Sequence, residues 1–307
     1  MIDKKIPVIV VCGPTASGKT SLSIEIAKKY DGEIVSADSM QIYRTMDIAT
    51  AKPTKEEMQE AKHHMIDICD ITDMFSVSDY CAMTHGIISD IFARGKMPIV
   101  CGGTGLYINS LIDDLDFSKS DENSEIRSSL SKRAEEDSGA LYRELCERDP
   151  EAAESIHEKN VKRVIRALEH IYITGEKFSD YKKRAVEKES RYNPLFLMID
   201  HDREVLYERI NRRVDIMIED GLLAEARKIY DMQLPRTLTS LSSIGYKELF
   251  DYFDGKCTLE AAVELIKQSS RRYAKRQLTW FRRNDKINHV KSAEEAEKII
   301  DKWIKEQ

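Results

Sequence analysis

Gly13-Pro14-Thr15-Ala16-Ser17-Gly18-Lys19-Thr20 has the spacing G-x-x-x-x-G-K-T and follows directly on the apolar run Val8-Ile9-Val10-Val11-Cys12. A short apolar run bounded by glycine predicts a buried parallel strand. Strand, glycine loop and helix in that order predict a phosphate-binding loop. Glycines at both ends let the backbone curl so that several N–H groups face one anion, Lys19 adds charge where two phosphates meet, and Thr20 offers a hydroxyl to Mg²⁺. An ordinary glycine turn between strand and helix is the alternative, and the eight-residue spacing with these flanks disfavours it. The chain is therefore expected to handle a di- or triphosphate compound.

Apolar periodicity on either side of the loop predicts a helix from Lys19 to about Lys29, with Leu22 and Ile26 inward, and a strand at Glu33 to Ala37. A further helix is predicted over Val77 to Arg94. The short strand Pro98-Ile99-Val100-Cys101 then runs into Gly102-Gly103-Thr104-Gly105, and Leu195 to Ile199, entered through Pro194, supplies another strand. Strands alternating with helices predict an α/β fold, a P-loop NTPase-like parallel sheet core that binds ligands beyond the carboxyl ends of its strands. Between Ser118 and Asn193 the chain is highly charged, lacks a convincing strand, and carries the helical pattern Val161, Val164, Ile165, Leu168, Tyr172, stopped by Gly175. The expected organisation is a core in two parts, 1–117 and 194–307, with a helical insertion domain over 118–193. Ile210, Val214, Met217 and Ile218 mark one face of a later helix.

The chain of 307 residues has no run of ~18 uncharged apolar residues, so no membrane role is expected. The first strand begins too early to leave room for a secretory leader, which points to the cytoplasm, and a monomer is expected. Cys12, Cys69, Cys81, Cys101, Cys146 and Cys257 form no C-x-x-C pair, against both a zinc site and a disulfide framework. His63-His64 are adjacent, so they point apart and do not read as metal ligands. A net charge of −6 does not suggest a nucleic-acid binder, but its distribution does. From Leu265 to Asn284 there is no acid, while Lys267, Arg271, Arg272, Lys275, Arg276, Arg282 and Arg283 stand among Tyr273, Trp280 and Phe281. Spacings of three and four stripe one helix with charge, and Trp280 and Phe281 are expected to supply stacking surfaces for bases.

In a parallel sheet the phosphate loop, Asp38-Ser39 after the second strand, and Gly103-Thr104 converge on one cleft. Asp38 is a candidate general base, with a Mg²⁺-water ligand or a turn-capping aspartate as alternatives. Thr104 offers a hydroxyl to a substrate, and the glycines beside it permit close backbone approach. Asp200 has the form of a magnesium aspartate, but His201-Asp202 follow at once and a turn fits as well. Arg209, Arg212 and Arg213 occupy the place of phosphate-clamping lid arginines, with a solvated face as the alternative. Lys162, Arg163 and Arg166 project together from the insertion, opposite its apolar stripe, with a solvated face as the default reading.

Several stretches together carry a resemblance: Gly13 to Thr20, Ala37-Asp38-Ser39-Met40-Gln41-Ile42-Tyr43, Thr50-Ala51-Lys52-Pro53, His63-His64-Met65-Ile66-Asp67, Gly102 to Tyr107, Arg163 to Glu169, Ile244-Gly245-Tyr246-Lys247-Glu248, and Arg271 to Phe281. Through them the chain resembles the bacterial tRNA dimethylallyltransferases, also called tRNA isopentenyltransferases, nearly end to end. The resemblance implies transfer of a dimethylallyl group from dimethylallyl diphosphate to N6 of the adenosine immediately 3′ of the anticodon, in tRNAs reading codons that begin with U. It implies that Gly13, Pro14, Thr15, Ala16, Ser17, Gly18, Lys19 and Thr20, with Mg²⁺ and Arg213, hold the departing diphosphate, so that ATP is no substrate. Asp38 matches the family's catalytic aspartate and Thr104 its threonine beside the reaction centre. The base is flipped into a channel. Asp38, Ser39, Met40, Gln41, Thr104, Lys162, Arg163, Val164, Ile165 and Arg166 match stretches that contact the tRNA anticodon stem-loop; Arg127 is a further candidate, and Arg272 and Arg276 represent the basic tail. Lys162 stands where many relatives carry an uncharged polar residue or arginine, which leaves it a phosphate contact.

Without the basic tail the same residues suit a small-molecule kinase or a free-adenylate isopentenyltransferase, and without catalysis an RNA-binding regulator. Only the tRNA-acting reading uses every feature.

Overall fold

The computed structural model describes residues 5–114, 124–187 and 189–307. The chain divides into two compact units, one of residues 1–112 and 191–307 and one of residues 113–190. The boundary expected between 117 and 118 lies outside the described residues. The first unit begins β1 (Ile6–Cys12), α1 (Lys19–Lys29), β2 (Gly32–Ser36), α2 (Lys55–Glu60), β3 (His63–His64), α3 (Val77–Ala93), β4 (Met97–Gly102) and α4 (Gly105–Ile112). The second contains α5 (Ser124–Arg148), α6 (Pro150–Ser155), α7 (Val161–Thr174) and α8 (Phe178–Glu187). The first then resumes with β5 (Tyr192–Ile199), α9 (Arg203–Glu219), α10 (Leu222–Asp231), α11 (Tyr246–Phe253), α12 (Leu259–Phe281), β6 (Ile287–Val290) and α13 (Ala293–Lys305).

All six strands form one parallel sheet in the order β3-β2-β4-β1-β5-β6. Ile9 and Val11 of β1 pack with α1 and α13, while Val8 and Val10, which point to the other face, are equally buried; covered faces are what a parallel sheet requires. Two strands were not expected. His63-His64 is too short for an alternating pattern to emerge, and Ile287-Asn288-His289-Val290 is half polar because it closes the other edge of the sheet. β5 also begins three residues before Leu195, with Pro194 inside it. A proline cannot donate to a ladder, and the register shows how this one is tolerated. Pro194 pairs with Val8 on one side, while β6 joins β5 only from Phe196 onward. Pro98 sits likewise beside Glu33 at a row that β1 has not yet reached, since β1 and β4 pair only from Ile9 and Ile99.

β4 lies between β2 and β1, so the loops leaving these three strands meet at one end of the sheet. A second cluster, including Ile42, Tyr43, Met46, Val214, Leu222, Tyr246, Leu249 and Ile266, packs the segment after β2 against α9 to α12. Glu225 fixes that segment by accepting from the N–H groups of Asp47, Ile48 and Ala49 and from the Tyr246 hydroxyl.

At the base of β2, buried Glu33 accepts from Arg94 Nη1 at 2.5 Å and Nη2 at 2.8 Å and lies 2.7 Å from His64 Nε2. The Arg94 guanidinium, helped by His64 and opposed by burial, holds the Glu33 carboxyl down to about 2 from an ordinary 4.5. A depressed carboxylate stabilises the fold fully above its unfolded value and loses that contribution as pH falls through its folded one. Glu33→Gln should therefore melt below wild type near neutral pH, with the gap closing between about 4.5 and about 2. Thermal melts across that range check this; a gap that stays constant would mean that the stabilising interaction is not ionic.

In the helical unit, Leu130, Leu141, Leu145, Val164, Ala167, Leu168 and Ile171 form the core. α7 ends at Gly175 with φ 74°, as its stop residue requires. Its apolar stripe runs through Val164, Ala167, Leu168 and Ile171 rather than reaching Tyr172, which is exposed.

Candidate active site

A cavity of about 300 Å³ opens beyond the carboxyl ends of β1, β2 and β4. The phosphate loop contributes Thr15, Ala16, Lys19 and Thr20 to its wall, and the segment after β2 contributes Asp38, Ser39, Met40 and Gln41. Cys101 and Gly102 come from β4, Arg213 from α9, and Tyr273, Arg276 and Gln277 from α12. Ile34, Ile66, Val214, Met217 and Leu222 make part of the lining apolar.

Gly13 (φ 134°), Ala16 (φ 63°) and Gly18 (φ 96°) bend the loop through left-handed backbone. Gly18 caps α1 without a side-chain hydrogen bond, so the first-turn N–H groups have no side-chain competitor for an anion. Pro14, Ser17 and the two glycines shape the loop without lining the cavity. Lys19 Nζ donates to the Pro14 carbonyl at 2.6 Å, and burial pulls its pKa below the usual lysine value. Arg213 is likewise lowered by burial, and its Nη1 lies 3.4 Å from Thr15 Oγ1. Arg209 Nε braces the loop through the Ala16 carbonyl at 2.8 Å, while Arg212 is exposed. Two desolvated cations thus converge on a cavity whose ligand would be their counter-ion.

Asp38 Oδ1 accepts from Met40 N at 2.9 Å, the turn-capping contact, and the carboxylate also lines the cavity. Burial pushes its pKa up, against the pull of the Met40 and Gln41 N–H groups and the charge of Lys19. Thr104 does not line the cavity. Its Oγ1 accepts from Ser39 N at 3.1 Å and its N–H donates to the Ala37 carbonyl at 3.1 Å, so it holds the residues on either side of Asp38. Tyr273 beside it is pushed up to about 12 by burial and by the charge of Asp38, against a hydrogen bond with Thr104.

The expectation that the Gly102–Gly105 glycines admit a ligand's close approach is corrected. A Cβ at Gly102 would lie 2.2 Å from the Ala37 carbonyl oxygen, one at Gly103 would lie 2.1 Å from Gln277 Nε2, and one at Gly105 would lie 2.3 Å from Trp280 Cδ1. These glycines admit the protein's own β2 end and α12. Trp280 and Phe281 are accordingly not stacking surfaces: Trp280 packs on Gly105 and Phe281 is buried. The basic run also divides. Lys267 pairs with Asp215 at 2.6 Å and Arg271 bonds Asn211 Oδ1 at 2.5 Å, tying α12 to α9. Arg272, Lys275, Arg276, Arg282 and Arg283 are exposed, and Arg276 also lines the cavity with its guanidinium over the Tyr273 ring.

Gln277 was missing from the expected site. Its Oε1 accepts from Thr15 N and its Nε2 donates to the Gly103 carbonyl, each at 2.9 Å. The signal available was its place four residues after Tyr273 on the inward face, where a polar side chain needs partners. Asp200 bonds His289 Nδ1 at 2.7 Å, its N–H donates to the Val290 carbonyl, and it does not line the cavity.

Within the helical unit, Lys162 and Arg163 are exposed and Ile165 is half-buried. Arg127 and Arg166 share the fully buried Glu169, at 2.7 Å and 3.2 Å from its Oε2. Val164, expected in an RNA-contacting stretch, is corrected: its side chain is in the unit's core.

Comparison with known proteins agrees with this arrangement. The family model described as IPP transferase matches residues 41–284, a segment that includes the β4 turn, α9 and α12. A tRNA dimethylallyltransferase of Bacillus velezensis is 50% identical over 283 residues, covering 92% of this chain and 90% of its own, and one of Clostridioides difficile is 49% identical over 281 residues. The crystal structure of the tRNA isopentenylpyrophosphate transferase from Bacillus halodurans superposes with a TM-score of 0.75 at 42% identity, covering 98% of each chain. A eukaryotic dimethylallyltransferase acting on tRNA superposes with a TM-score of 0.79 at 32% identity, over 90% of this chain and 69% of that one. With a phosphate loop, a half-buried aspartate and a basic helix gathered at one end of the sheet, the chain belongs to the IPP transferase family.

Proposed function

We propose that the protein transfers the dimethylallyl group of dimethylallyl diphosphate to N6 of the adenosine immediately 3′ of the anticodon in tRNA. The observation that supports this most is the pairing, in one cavity, of two half-buried cations, Lys19 and Arg213, with a half-buried carboxylate, Asp38, and an apolar wall. Relatives that are about half identical carry the name tRNA dimethylallyltransferase.

The chemistry needs those parts. The adenine nitrogen attacks the allylic carbon, the bond from that carbon to the diphosphate oxygen breaks, and the proton leaves the nitrogen for the Asp38 carboxylate. Negative charge grows on the departing diphosphate, where the loop N–H groups, Lys19 and Arg213 would stabilise it. The apolar wall keeps water from a reactive allylic centre. Magnesium fits the residues present: the Thr20 hydroxyl is a hard oxygen donor lining the cavity beside the phosphate loop. No group of three or more His, Cys, Asp or Glu side chains able to hold a metal occurs among the described residues. Magnesium keeps several waters and binds substrate phosphates; here the phosphate-loop hydroxyl of Thr20 would hold it, and the ion would neutralise diphosphate charge.

The deciding experiment supplies labelled dimethylallyl diphosphate to the full chain with either an anticodon stem-loop or AMP, and no ATP. Label on the stem-loop alone supports the proposal; label on AMP alone, or on neither, overturns it. The exposed face of α12 is assigned to the RNA backbone. Arg272→Ala with Lys275→Ala should weaken stem-loop binding and lower its salt slope by ~1 for each phosphate no longer neutralised, leaving pyrophosphate affinity intact. Binding titrations at several salt concentrations check this, and an unchanged slope removes that face from the interface.

A further inference from the structure

We infer that Gln277 is a positioning residue that sets the phosphate loop and the Asp38 turn at a fixed separation, so that leaving group and base are aligned; the role rests on the transfer reading above. One carboxamide, 5% exposed, joins loops that leave two different strands. Its acceptor end takes the N–H of Thr15 in the loop after β1, and its donor end holds the carbonyl of Gly103 after β4, both at 2.9 Å. From Gly103 the connection continues without a gap. Thr104 N donates to Ala37 O, Thr104 Oγ1 accepts from Ser39 N, and Asp38 between them accepts from Met40 N. The arrangement is selective at both ends. A side chain at Gly103 would occupy the place of Gln277 Nε2, and only a carboxamide offers a donor and an acceptor in one rigid plane at this length.

The physical consequence concerns alignment more than affinity. Diphosphate would be gripped by Lys19, Arg213, Thr20 and the N–H groups opening α1; Gln277 takes the Thr15 N–H, which is thereby not offered to the anion. The nucleophile, by contrast, is held by Asp38, whose distance from that grip is set by the tie through Gln277. Transfer requires the attacking nitrogen and the allylic carbon to be ~3–3.5 Å apart and aligned, and a displacement of ~1 Å costs on the order of 10²-fold. A buried glutamine that merely satisfied two main-chain groups would affect stability without separating turnover from binding.

The test uses the full chain carrying Gln277→Met, of similar length with neither hydrogen bond, and Gln277→Glu, which keeps the acceptor and loses the donor. Measured are kcat and KM for dimethylallyl diphosphate with an anticodon stem-loop, the dissociation constant of inorganic pyrophosphate, and the melting temperature. The expected result for Gln277→Met is a ~10²-fold lower kcat with pyrophosphate affinity within about threefold of wild type. For Gln277→Glu a comparable loss of kcat is expected, because the tie to Gly103 is broken in both. A kcat within about twofold of wild type, or pyrophosphate affinity falling in step with kcat, overturns the inference. If Gln277→Met does not fold, Gln277→Glu decides by its kcat alone, since a new negative charge on the cavity wall would by itself weaken pyrophosphate binding. A wild-type protein inert toward dimethylallyl diphosphate overturns the transfer reading itself, whereas an active wild type with unimpaired variants overturns only the role of Gln277.

Discussion

Asp38→Asn is expected to lower the turnover of dimethylallyl transfer by ~10²-fold or more, with the affinities for pyrophosphate and the anticodon stem-loop staying within about threefold of wild type. Asparagine is the informative substitution because its side-chain oxygen can still accept from Met40 N. Alanine would remove the turn cap together with the base and mix the two effects. Burial raises the Asp38 carboxyl above its ordinary 3.8, and the base works only when ionised. The acid limb of kcat/KM in the wild type should therefore have its midpoint above 3.8, with activity lost as pH falls through it, and Asp38→Asn should lack that limb. Single-turnover rates across pH check both parts. An Asp38→Asn protein with wild-type turnover would leave Asp38 as a cap alone.

What could be read in advance follows a physical pattern. α1 and α3 show clear helical periods because one face of each is buried, and β1, β2, β4 and the middle of β5 carry dense apolar runs because both their faces are covered, so Val8 to Cys12 and Ile99 to Cys101 announce themselves. The sheet's edges do not. β3 is two histidines and the middle of β6 is Asn288-His289, since an edge needs less apolar cover. The phosphate loop and Asp38 were legible because each follows a recognisable strand and the parallel topology sends the loops to one end, whereas Arg213, one of three arginines on α9, was singled out only by the family resemblance. Trp280 and Phe281 misled for the opposite reason. An aromatic residue among arginines suits a base-stacking surface as well as the buried side of an amphipathic helix, and the α12 periodicity places Ala274, Gln277 and Phe281 inward while Arg272, Lys275 and Arg276 remain outside. Gln277 itself was hidden because its partners are main-chain groups of Thr15 and Gly103, more than 170 residues away, and no side-chain pattern encodes them.

Those inward contacts change what the Gly102-Gly103-Thr104-Gly105 turn is for. Its glycines are sockets, one for the end of β2 and two for α12. A helix whose outer face is basic is thereby seated against the residues that carry Asp38. The surface assigned to RNA and the base assigned to catalysis thus share one rigid element within the same compact unit, an economical way to keep an incoming acceptor in register with the diphosphate grip.

Lys19→Met should reduce pyrophosphate affinity by ~10²-fold or more, since a half-buried cation facing the bound anion is removed and the anion is left without its partner. The same substitution should leave the ligand-free melting temperature unchanged or raise it. Burial lowers the pKa of Lys19 in the folded protein, which means that folding disfavours its charged form; one carbonyl, that of Pro14, is its hydrogen-bond partner on the loop. Replacing it with an apolar side chain of similar length relieves that cost, as expected where a site is built for a ligand rather than for stability. The ratio of wild-type to variant affinity should also shrink as pH rises, beginning below the ordinary lysine value of 10.5, because the wild type loses its cation while the ionisation of pyrophosphate affects both proteins alike. Calorimetric titration of pyrophosphate at several pH values, paired with thermal melts, checks all three statements. A variant that melts well below wild type would make Lys19 a structural residue of the loop, and one that binds pyrophosphate normally would take the diphosphate grip away from it.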